Sequence, residues 1–204
     1  MFRGPENALP PNWLHIPIGY NGRASTVVAS GTDIRRPLGQ TKAPDAQAPS
    51  FGPSERLDIE LEMVAVVGIA SLREPGPMNH DIALTVTMQA EGGAPTTITR
   101  TNARELYYSF AQQLAHHTSS GCSMSTGDLL GSGTISGPQK GSSGSLLELS
   151  RGGKEPLTLE GGATRTFIAD GDTLTLHGHA QGDGFRVGFG ECSGTILPSP
   201  RFPQ

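Results

Sequence analysis

Acidic and large apolar residues alternate strictly in the stretch Leu57-Asp58-Ile59-Glu60-Leu61-Glu62-Met63, and the apolar run Val64-Ala65-Val66-Val67 follows it. Successive side chains of a β-strand point to opposite faces of the sheet. The alternation therefore predicts a strand that carries the acids on one face, with Cα atoms about 6.6 Å apart from one acid to the next. The large apolar side chains would lie on the other face and pack against a core.

The row formed by Asp58, Glu60 and Glu62 allows two interpretations. It can be the wet face of a half-exposed strand, since such alternation is common in sheets with one solvated side. It can also be a cation site, because like charges held this close require a shifted pKa, a neighbouring base or a metal. Carboxylate oxygens suit Mg²⁺, Ca²⁺ or Mn²⁺ better than zinc. The residues alone leave both interpretations open.

In the rest of the chain, turn-forming residues are spaced as in a β protein. Its 204 residues include 28 glycines and 16 prolines, which separate short strand-like runs instead of forming repeats. Strands are predicted at residues 25–30, 56–67, 82–91, 96–101, 146–150, 165–168, 173–179 and 185–189. The fold class indicated is mainly β with many tight turns. The proline- and alanine-rich residues 31–53 are expected to form a long surface loop.

One principal helix is predicted at about residues 102–117. Its apolar residues recur at three- and four-residue steps, and they are Leu106, Tyr107, Phe110, Ala111 and Leu114. Asn102 and Glu105 have the spacing of an N-terminal capping box, and Gly121 can end the helix.

Composition argues against several classes of function. The net charge is −4 and the basic residues are scattered, whereas nucleic-acid binding needs a basic face. No apolar run approaches the length of a membrane span, so no membrane partner is expected. The N-terminus lacks the apolar segment of a signal peptide, and the cytoplasm is the expected compartment. Cys122 and Cys192 form neither a disulfide framework nor a zinc motif and are expected to be buried small hydrophobes.

The common catalytic motifs are missing from the sequence, which has no Gly-x-Ser-x-Gly nucleophile elbow, no Walker loop and no His-Glu-x-x-His. The glycine-rich residues 131–137 allow two interpretations. They can be a turn between strands, or they can offer backbone N–H groups and the Thr134 hydroxyl to an anionic ligand.

Several long motifs nevertheless resemble those of one family. They include Gly31-Thr32-Asp33-Ile34-Arg35-Arg36-Pro37, Gln112-Gln113-Leu114-Ala115-His116-His117, Gly131-Ser132-Gly133-Thr134-Ile135-Ser136-Gly137-Pro138 and Gln181-Gly182-Asp183-Gly184-Phe185. Together with residues 2–25 and 57–63 they span nearly the whole chain in the family's order. The chain resembles the catalytic domain of the fumarylacetoacetase, or fumarylacetoacetate hydrolase, family.

The resemblance implies a fold, a reaction and a setting. The family's catalytic domain is a mixed, mostly β sandwich or roll, and its members are cytosolic homodimers. The reaction is hydrolysis of a carbon–carbon bond of 4-fumarylacetoacetate to fumarate and acetoacetate, at the end of tyrosine and phenylalanine breakdown. It needs a divalent cation, Mg²⁺ or Ca²⁺, a base that activates water, and groups that hold the substrate carboxylates.

The resemblance also implies roles for individual residues. Matching positions make Glu60 and Glu62 metal ligands and leave Asp58 as a structural neighbour. The other matches assign a substrate carboxylate to Arg3, hydrogen bonds with the substrate to Tyr20 and Thr134, and the place of the glutamate that orients the catalytic histidine to Glu148.

The chain departs from the family pattern in two places. The family's accessory domain, and a segment with a metal-binding aspartate and the catalytic histidine, precede the position of Met1. Inside the chain, Pro77-Met78 is joined directly to Asn79-His80, where the family has a long segment with the motif Asn-Asp-Trp-Ser-Ala-Arg-Asp. Residues 1–204 are therefore expected to form a single, incomplete catalytic domain.

Two hypotheses of different class follow. In the first, the chain is a metal-dependent fumarylacetoacetase-like hydrolase. In the alternative, it is a catalytically inactive truncated or spliced homologue that acts only as a binding or dimerising module.

Overall fold

The structure is a computed structural model that describes residues 13–16, 19, 22–68, 79–119 and 121–201. Its strands are β1 (Ile34–Arg35), β2 (Leu38–Thr41), β3 (Ser50–Pro53), β4 (Val64–Val66), β5 (Ile82–Gln89), β6 (Thr96–Asn102), β7 (Leu129–Gly131), β8 (Leu157–Thr158), β9 (Thr164–Arg165), β10 (Thr173–Gln181) and β11 (Arg186–Leu197). Its α-helices are α1 (Phe110–Ser119) and α2 (Leu146–Leu149), and short 3₁₀ turns occupy Ala24–Thr26 and Ala103–Glu105. The predicted mainly β fold class is confirmed.

A five-stranded sheet in the order β1-β11-β10-β5-β6 forms the centre of the fold. Its strands pair antiparallel except for β1, which runs parallel to β11. Three two-stranded ribbons surround it and pair β2 with β3, β4 with β7, and β8 with β9. The alternation of β5 sets the core, because every second residue of this strand is buried.

The core lies on one face of this sheet. The buried side chains of β5 are Ile82, Leu84, Val86 and Met88, and they pack with residues from outside the sheet. Among those are Leu61, Ile135 and Leu146, each at most 1% exposed. The core therefore ties the sheet directly to the segments that carry the predicted site residues.

Several predicted strands have different bounds or a different structure. Residues 25–30 contain no strand, and their first part belongs to a 3₁₀ turn in which the Thr26 hydroxyl donates to the Arg23 carbonyl oxygen. Residues 31–53 hold β1, β2 and β3 instead of a long loop. The pairing of Ile34 with Ile196 joins distant parts of the chain and cannot be seen in local composition.

The predicted bounds of the helix are wrong at the N-terminus. Asn102 does accept a hydrogen bond from the Arg104 backbone, but it caps only a 3₁₀ turn. The α-helix begins eight residues later, where Ser109 and Gln112 form the reciprocal hydrogen bonds of a capping box. At the other end the helix runs to Ser119, two residues beyond the predicted end, and Gly121, with φ +85°, follows it as expected.

The two cysteines were expected to be buried, and both are exposed free thiols. Cys192 lies in the middle of β11, and Cys122 lies just beyond α1. No helix within the described ranges is long and apolar enough to cross a membrane.

A two-pronged ion pair joins Arg36 to Asp170, which lie 134 residues apart in the sequence. The Arg36 guanidinium donates to both carboxylate oxygens of Asp170 at 2.7 and 2.8 Å and to the Ser54 carbonyl oxygen at 2.7 Å. The pKa of Asp170 lies below its usual value mainly because of the hydrogen bonds from Arg36. Burial has a smaller effect in the opposite direction.

We predict that Asp170→Asn destabilises the protein by roughly 1 kcal/mol at pH 7, the upper end for a partly solvated ion pair. A lowered folded-state pKa contributes stability that is present above the unfolded pKa of about 3.9 and lost as pH falls through the folded value. The difference between the two proteins should therefore shrink in acid. Urea unfolding at pH 7 and pH 3 measures it, and an equal difference at both values would refute the ion-pair explanation.

Candidate functional site

The acidic stretch lies in an extended segment that pairs with the glycine-rich residues from Leu61 onward. The Leu61 carbonyl oxygen accepts from the Ile135 N–H at 2.8 Å, and the Met63 carbonyl oxygen accepts from the Ser132 N–H at 2.9 Å. Further along, β4 pairs with β7. The expected regular strand over 57–63 is not formed, because only isolated bridges occur there, at Leu57 and Glu60.

The predicted alternation of faces nevertheless holds from Glu60 onward. Leu61 is 1% exposed and enters the core, whereas Glu60 is exposed and Glu62 is half-buried. A Cβ added to Gly131 would lie 2.8 Å from Glu62 Oε2, so the carboxylate lies directly over this glycine. The two acids thus share one face, and the glycine leaves space for the second of them.

The surroundings of the Glu62 carboxylate disfavour its charged form. Burial raises the pKa of Glu62, and repulsion from Glu60 raises it further, while the hydrogen bond from the Gly133 N–H opposes both. That N–H donates to Glu62 Oε2 at 3.2 Å. Two neighbouring carboxylates, one of them partly desolvated, are an oxygen donor set that suits a hard divalent cation.

Asp58 does not join this pair. Its Oδ1 accepts from the backbone N–H groups of Ile59 and Leu146 at 2.7 and 2.8 Å, and its Oδ2 accepts from the Leu147 N–H at 2.9 Å. Asp58 therefore holds the start of α2 against the acidic segment. This is the structural role expected for it.

Glu148 lies on α2, in a region predicted to be a strand at residues 146–150. Ser145 caps this helix and donates to Glu148 Oε2 at 2.9 Å, and the Ser136 hydroxyl donates to the same oxygen at 2.7 Å. Glu60 forms a backbone bridge with Ser145, so the segment that carries Glu60 lies directly beside the start of this helix. The run of leucines suggested a strand, but the spacing Ser-x-x-Glu is a capping signal and could have predicted the helix.

Thr134 completes the cluster from the glycine-rich side. Its methyl carbon would lie 2.9 Å from a Cβ added to Gly144, and the Gly144 carbonyl oxygen accepts from the Leu61 N–H at 2.9 Å. Gly144 is thus the crossing point of the three segments that carry Glu60, Thr134 and Glu148. The structure brings together the segments that carry these residues, whereas Arg3 and Tyr20 lie outside the described residues.

We predict that Gly144→Ala destabilises the protein by about 1–3 kcal/mol, the usual cost of overpacking. The new Cβ would lie 2.6 Å from the Ile135 carbonyl oxygen, which is backbone and cannot rotate away. Thermal melting measures the effect, and Gly39→Ala is the matched control because a Cβ there has nothing within 4 Å. Equal melting temperatures for the two variants would contradict the close crossing.

The cluster has only two candidate metal ligands. Among the described residues, no group of at least three His, Cys, Asp or Glu side chains could hold a metal ion. A cation at Glu60 and Glu62 would therefore keep most of its shell as water or complete it with substrate oxygens, as Mg²⁺ often does.

A groove with a volume of about 460 Å³ lies elsewhere in the described part, and Arg36 and Arg165 are among the residues that line it. Both guanidinium groups are occupied by two-pronged pairs with Asp170 and Asp172 and by a backbone carbonyl oxygen each. They have little capacity left for an anionic ligand, so the acidic cluster is the better candidate site. Fold and cluster together define a mainly β domain that carries a pair of neighbouring carboxylates.

Comparison with known proteins identifies the family. The profile described as Fumarylacetoacetate (FAA) hydrolase C-terminal matches residues 3–84 and, in a second overlapping stretch, 69–197. Relatives include fumarylacetoacetase fahA of Aspergillus fumigatus, 41% identical over 281 aligned positions, and the fumarylacetoacetases of Caenorhabditis elegans and Homo sapiens, 40% identical over 278 and 37% over 276. The chain belongs to the fumarylacetoacetate hydrolase C-terminal family.

The alignments with these relatives are longer than the chain itself. Each covers 98% of this chain and 65–66% of the relative. Since 98% of 204 residues is about 200, about 80 of the 281 positions aligned with the Aspergillus relative have no residue of this chain.

Proposed function

We propose that this chain is a metal-dependent hydrolase of the fumarylacetoacetase type. Its reaction would be cleavage of the carbon–carbon bond of 4-fumarylacetoacetate to fumarate and acetoacetate, in tyrosine and phenylalanine catabolism. The relatives, which are fumarylacetoacetases, support the reaction. The observation that carries the proposal is the pair of neighbouring carboxylates of Glu60 and half-buried Glu62, on a segment that meets the segments of Glu148 and Thr134.

Glu60 and Glu62 would hold Mg²⁺ or Ca²⁺. When bound there, the cation would polarise the diketone and offset negative charge that develops during bond cleavage. The raised pKa of Glu62 supports this assignment, because a cation offsets both the repulsion from Glu60 and the cost of burial.

The other residues would position the reactants. The Thr134 hydroxyl would donate a hydrogen bond to the substrate, and Tyr20 would do the same. Arg3 would pair with a substrate carboxylate, for which a guanidinium has matching geometry. Glu148, whose carboxylate accepts from two serine hydroxyls, would orient the group that activates water.

The setting proposed with this function is that of the family. We propose a single incomplete catalytic domain with an interruption near residues 78–79, assembled as a homodimer in the cytoplasm. Sedimentation velocity tests the dimer directly, and a monomer at micromolar concentration would contradict it.

One observation favours the alternative of an inactive binding or dimerising module. The described part of the chain supplies two acids to the cluster and no third metal-binding group. A protein of this kind would bind a cation weakly and not turn over substrate.

The rate of fumarate formation from 4-fumarylacetoacetate tests the proposal. We expect turnover with Mg²⁺ or Ca²⁺, and a decrease of at least roughly 100-fold on chelation or in Glu60→Ala, since a cation contributes several kcal/mol to such reactions. Glu160→Ala, which removes an exposed carboxylate outside the cluster, should keep the rate of the unmodified chain. No hydrolysis at any cation concentration would refute the hydrolase proposal and would favour the inactive binding or dimerising module.

A further inference from the structure

The two carboxylate oxygens of Glu148 have different surroundings. Oε2 accepts from the Ser136 hydroxyl at 2.7 Å and from the Ser145 hydroxyl at 2.9 Å. Oε1 has no hydrogen-bond partner among the described residues, and Glu148 is exposed. The protein therefore fixes one oxygen of this carboxylate and leaves the other to a further group.

Each of the two serine hydroxyls is itself held by a backbone N–H group. Ser136 Oγ accepts from the Gly144 N–H at 2.9 Å, and Ser145 Oγ accepts from the Glu148 N–H at 3.3 Å. A hydroxyl has one proton, and an ionised carboxylate can only accept, so both hydroxyl protons go to Glu148 Oε2. Hydrogen bonds linked in this way polarise and strengthen one another.

The two serines hold Glu148 from different segments. Ser145 is the N-cap of α2 and is 5% exposed, whereas Ser136 belongs to the glycine-rich residues 131–137. Turning the carboxylate away would break one or both of these hydrogen bonds, which are stronger than neutral ones because the acceptor is charged. The pair of serines therefore fixes the direction in which Oε1 points.

We infer that Ser136 and Ser145 are positioning residues: they hold Glu148 through Oε2, so that Oε1 accepts the hydrogen bond of the group that activates water. This inference rests on the proposed function, in which Glu148 orients that group. Orientation of this kind contributes to the rate and not to the binding of substrate. A serine needed only for folding would change stability and leave the rate of the folded protein unchanged.

The kinetics of 4-fumarylacetoacetate hydrolysis by Ser136→Ala test the inference. We expect kcat to fall roughly 10-fold or more, because small errors in the placement of catalytic groups are costly. KM should change less than about 2-fold, since the interaction contributes to the transition state and not to substrate binding. Ser136→Thr keeps the hydroxyl and should recover most of the rate.

Ser150→Ala is the matched control. The Ser150 hydroxyl is buried and also accepts from a glycine N–H, that of Gly153 at 3.0 Å, but it makes no hydrogen bond with the Glu148 carboxylate. This variant should lose stability and keep the kcat of the unmodified chain. A kcat of Ser136→Ala equal to that of Ser150→Ala would overturn the inference.

If Ser136→Ala does not fold, Ser145→Gly takes its place. Glycine is tolerated at a helix N-cap far better than alanine, so this variant removes the second hydroxyl at little cost to α2. It should lower kcat in the same way and leave KM unchanged. An unchanged kcat would overturn the inference.

If the unmodified chain shows no turnover, the proposed function fails, and the fumarylacetoacetase fahA of Aspergillus fumigatus tests the inference separately. Alanine at its position matching Ser136 should lower kcat, and alanine at its position matching Ser150 should not. The same kcat in both variants would overturn the inference, whatever the activity of the shorter chain.

Discussion

Asp172→Ala is expected to destabilise the protein by about 3–5 kcal/mol, the usual cost of breaking a buried ion pair. The Asp172 side chain is fully buried, and its two oxygens accept from the Arg165 guanidinium at 2.7 and 2.8 Å and from the Ala169 N–H at 2.8 Å. Arg165 is only 20% exposed, so removing Asp172 leaves an unpaired, largely buried cation.

The backbone of Asp172 enlarges this effect. Its carbonyl oxygen accepts from the Ile196 N–H at 2.9 Å, and the preceding Gly171 N–H donates to the Ile196 carbonyl oxygen at 2.8 Å. The ion pair therefore fixes the turn from which β10 enters the central sheet beside β11.

Urea unfolding of three variants measures the contribution of this pair. Asp183→Ala, which removes an exposed aspartate at the turn between β10 and β11, should change stability by less than about 0.5 kcal/mol. The double variant Arg165→Met, Asp172→Leu should recover part of the loss, because replacing both partners leaves no buried charge unpaired. If Asp172→Ala unfolds at the same urea concentration as Asp183→Ala, the pair does not support the fold.

How far the sequence predicts this structure depends on whether a signal is local. The alternation of Glu60, Leu61 and Glu62 is a local signal, and it placed the acids on one face even though no regular strand forms there. The capping box of Ser109 and Gln112 is also local, but a competing cap at Asn102 obscured it.

The convergence of the site residues was not predictable from local pattern. Glu60 meets Ser145, and Thr134 meets Gly144, through packing between segments more than 70 residues apart in one case and ten in the other. The resemblance to a family identified these residues as site candidates from the sequence. The contacts of Ser136 and Ser145 with Glu148 are seen only in the structure.

Glu62→Gln is expected to remove cation binding while making the cation-free protein more stable at pH 7. The raised folded-state pKa of Glu62 means that the folded protein binds this proton more tightly than the unfolded chain does. The stability of the unmodified protein therefore falls as pH rises from the unfolded value through the folded one. Glutamine has no charge to desolvate, and its oxygen can still accept from the Gly133 N–H.

Two carboxylates are expected to hold Mg²⁺ or Ca²⁺ with a Kd on the order of 10⁻³ M. At a cation concentration ten times the Kd, such binding stabilises the folded state by about 1.4 kcal/mol. In a chain of this size that corresponds to roughly 3–5 °C in melting temperature.

Melting with and without about 10 mM Ca²⁺ or Mg²⁺ at pH 7, ten times the expected Kd, is the most direct test that Glu60 and Glu62 form a cation site. The unmodified chain and Glu160→Gln should both melt roughly 3–5 °C higher with the cation. Glu62→Gln should melt higher than the unmodified chain without the cation and gain nothing from it. The same cation-induced shift in all three proteins would contradict a site at this pair.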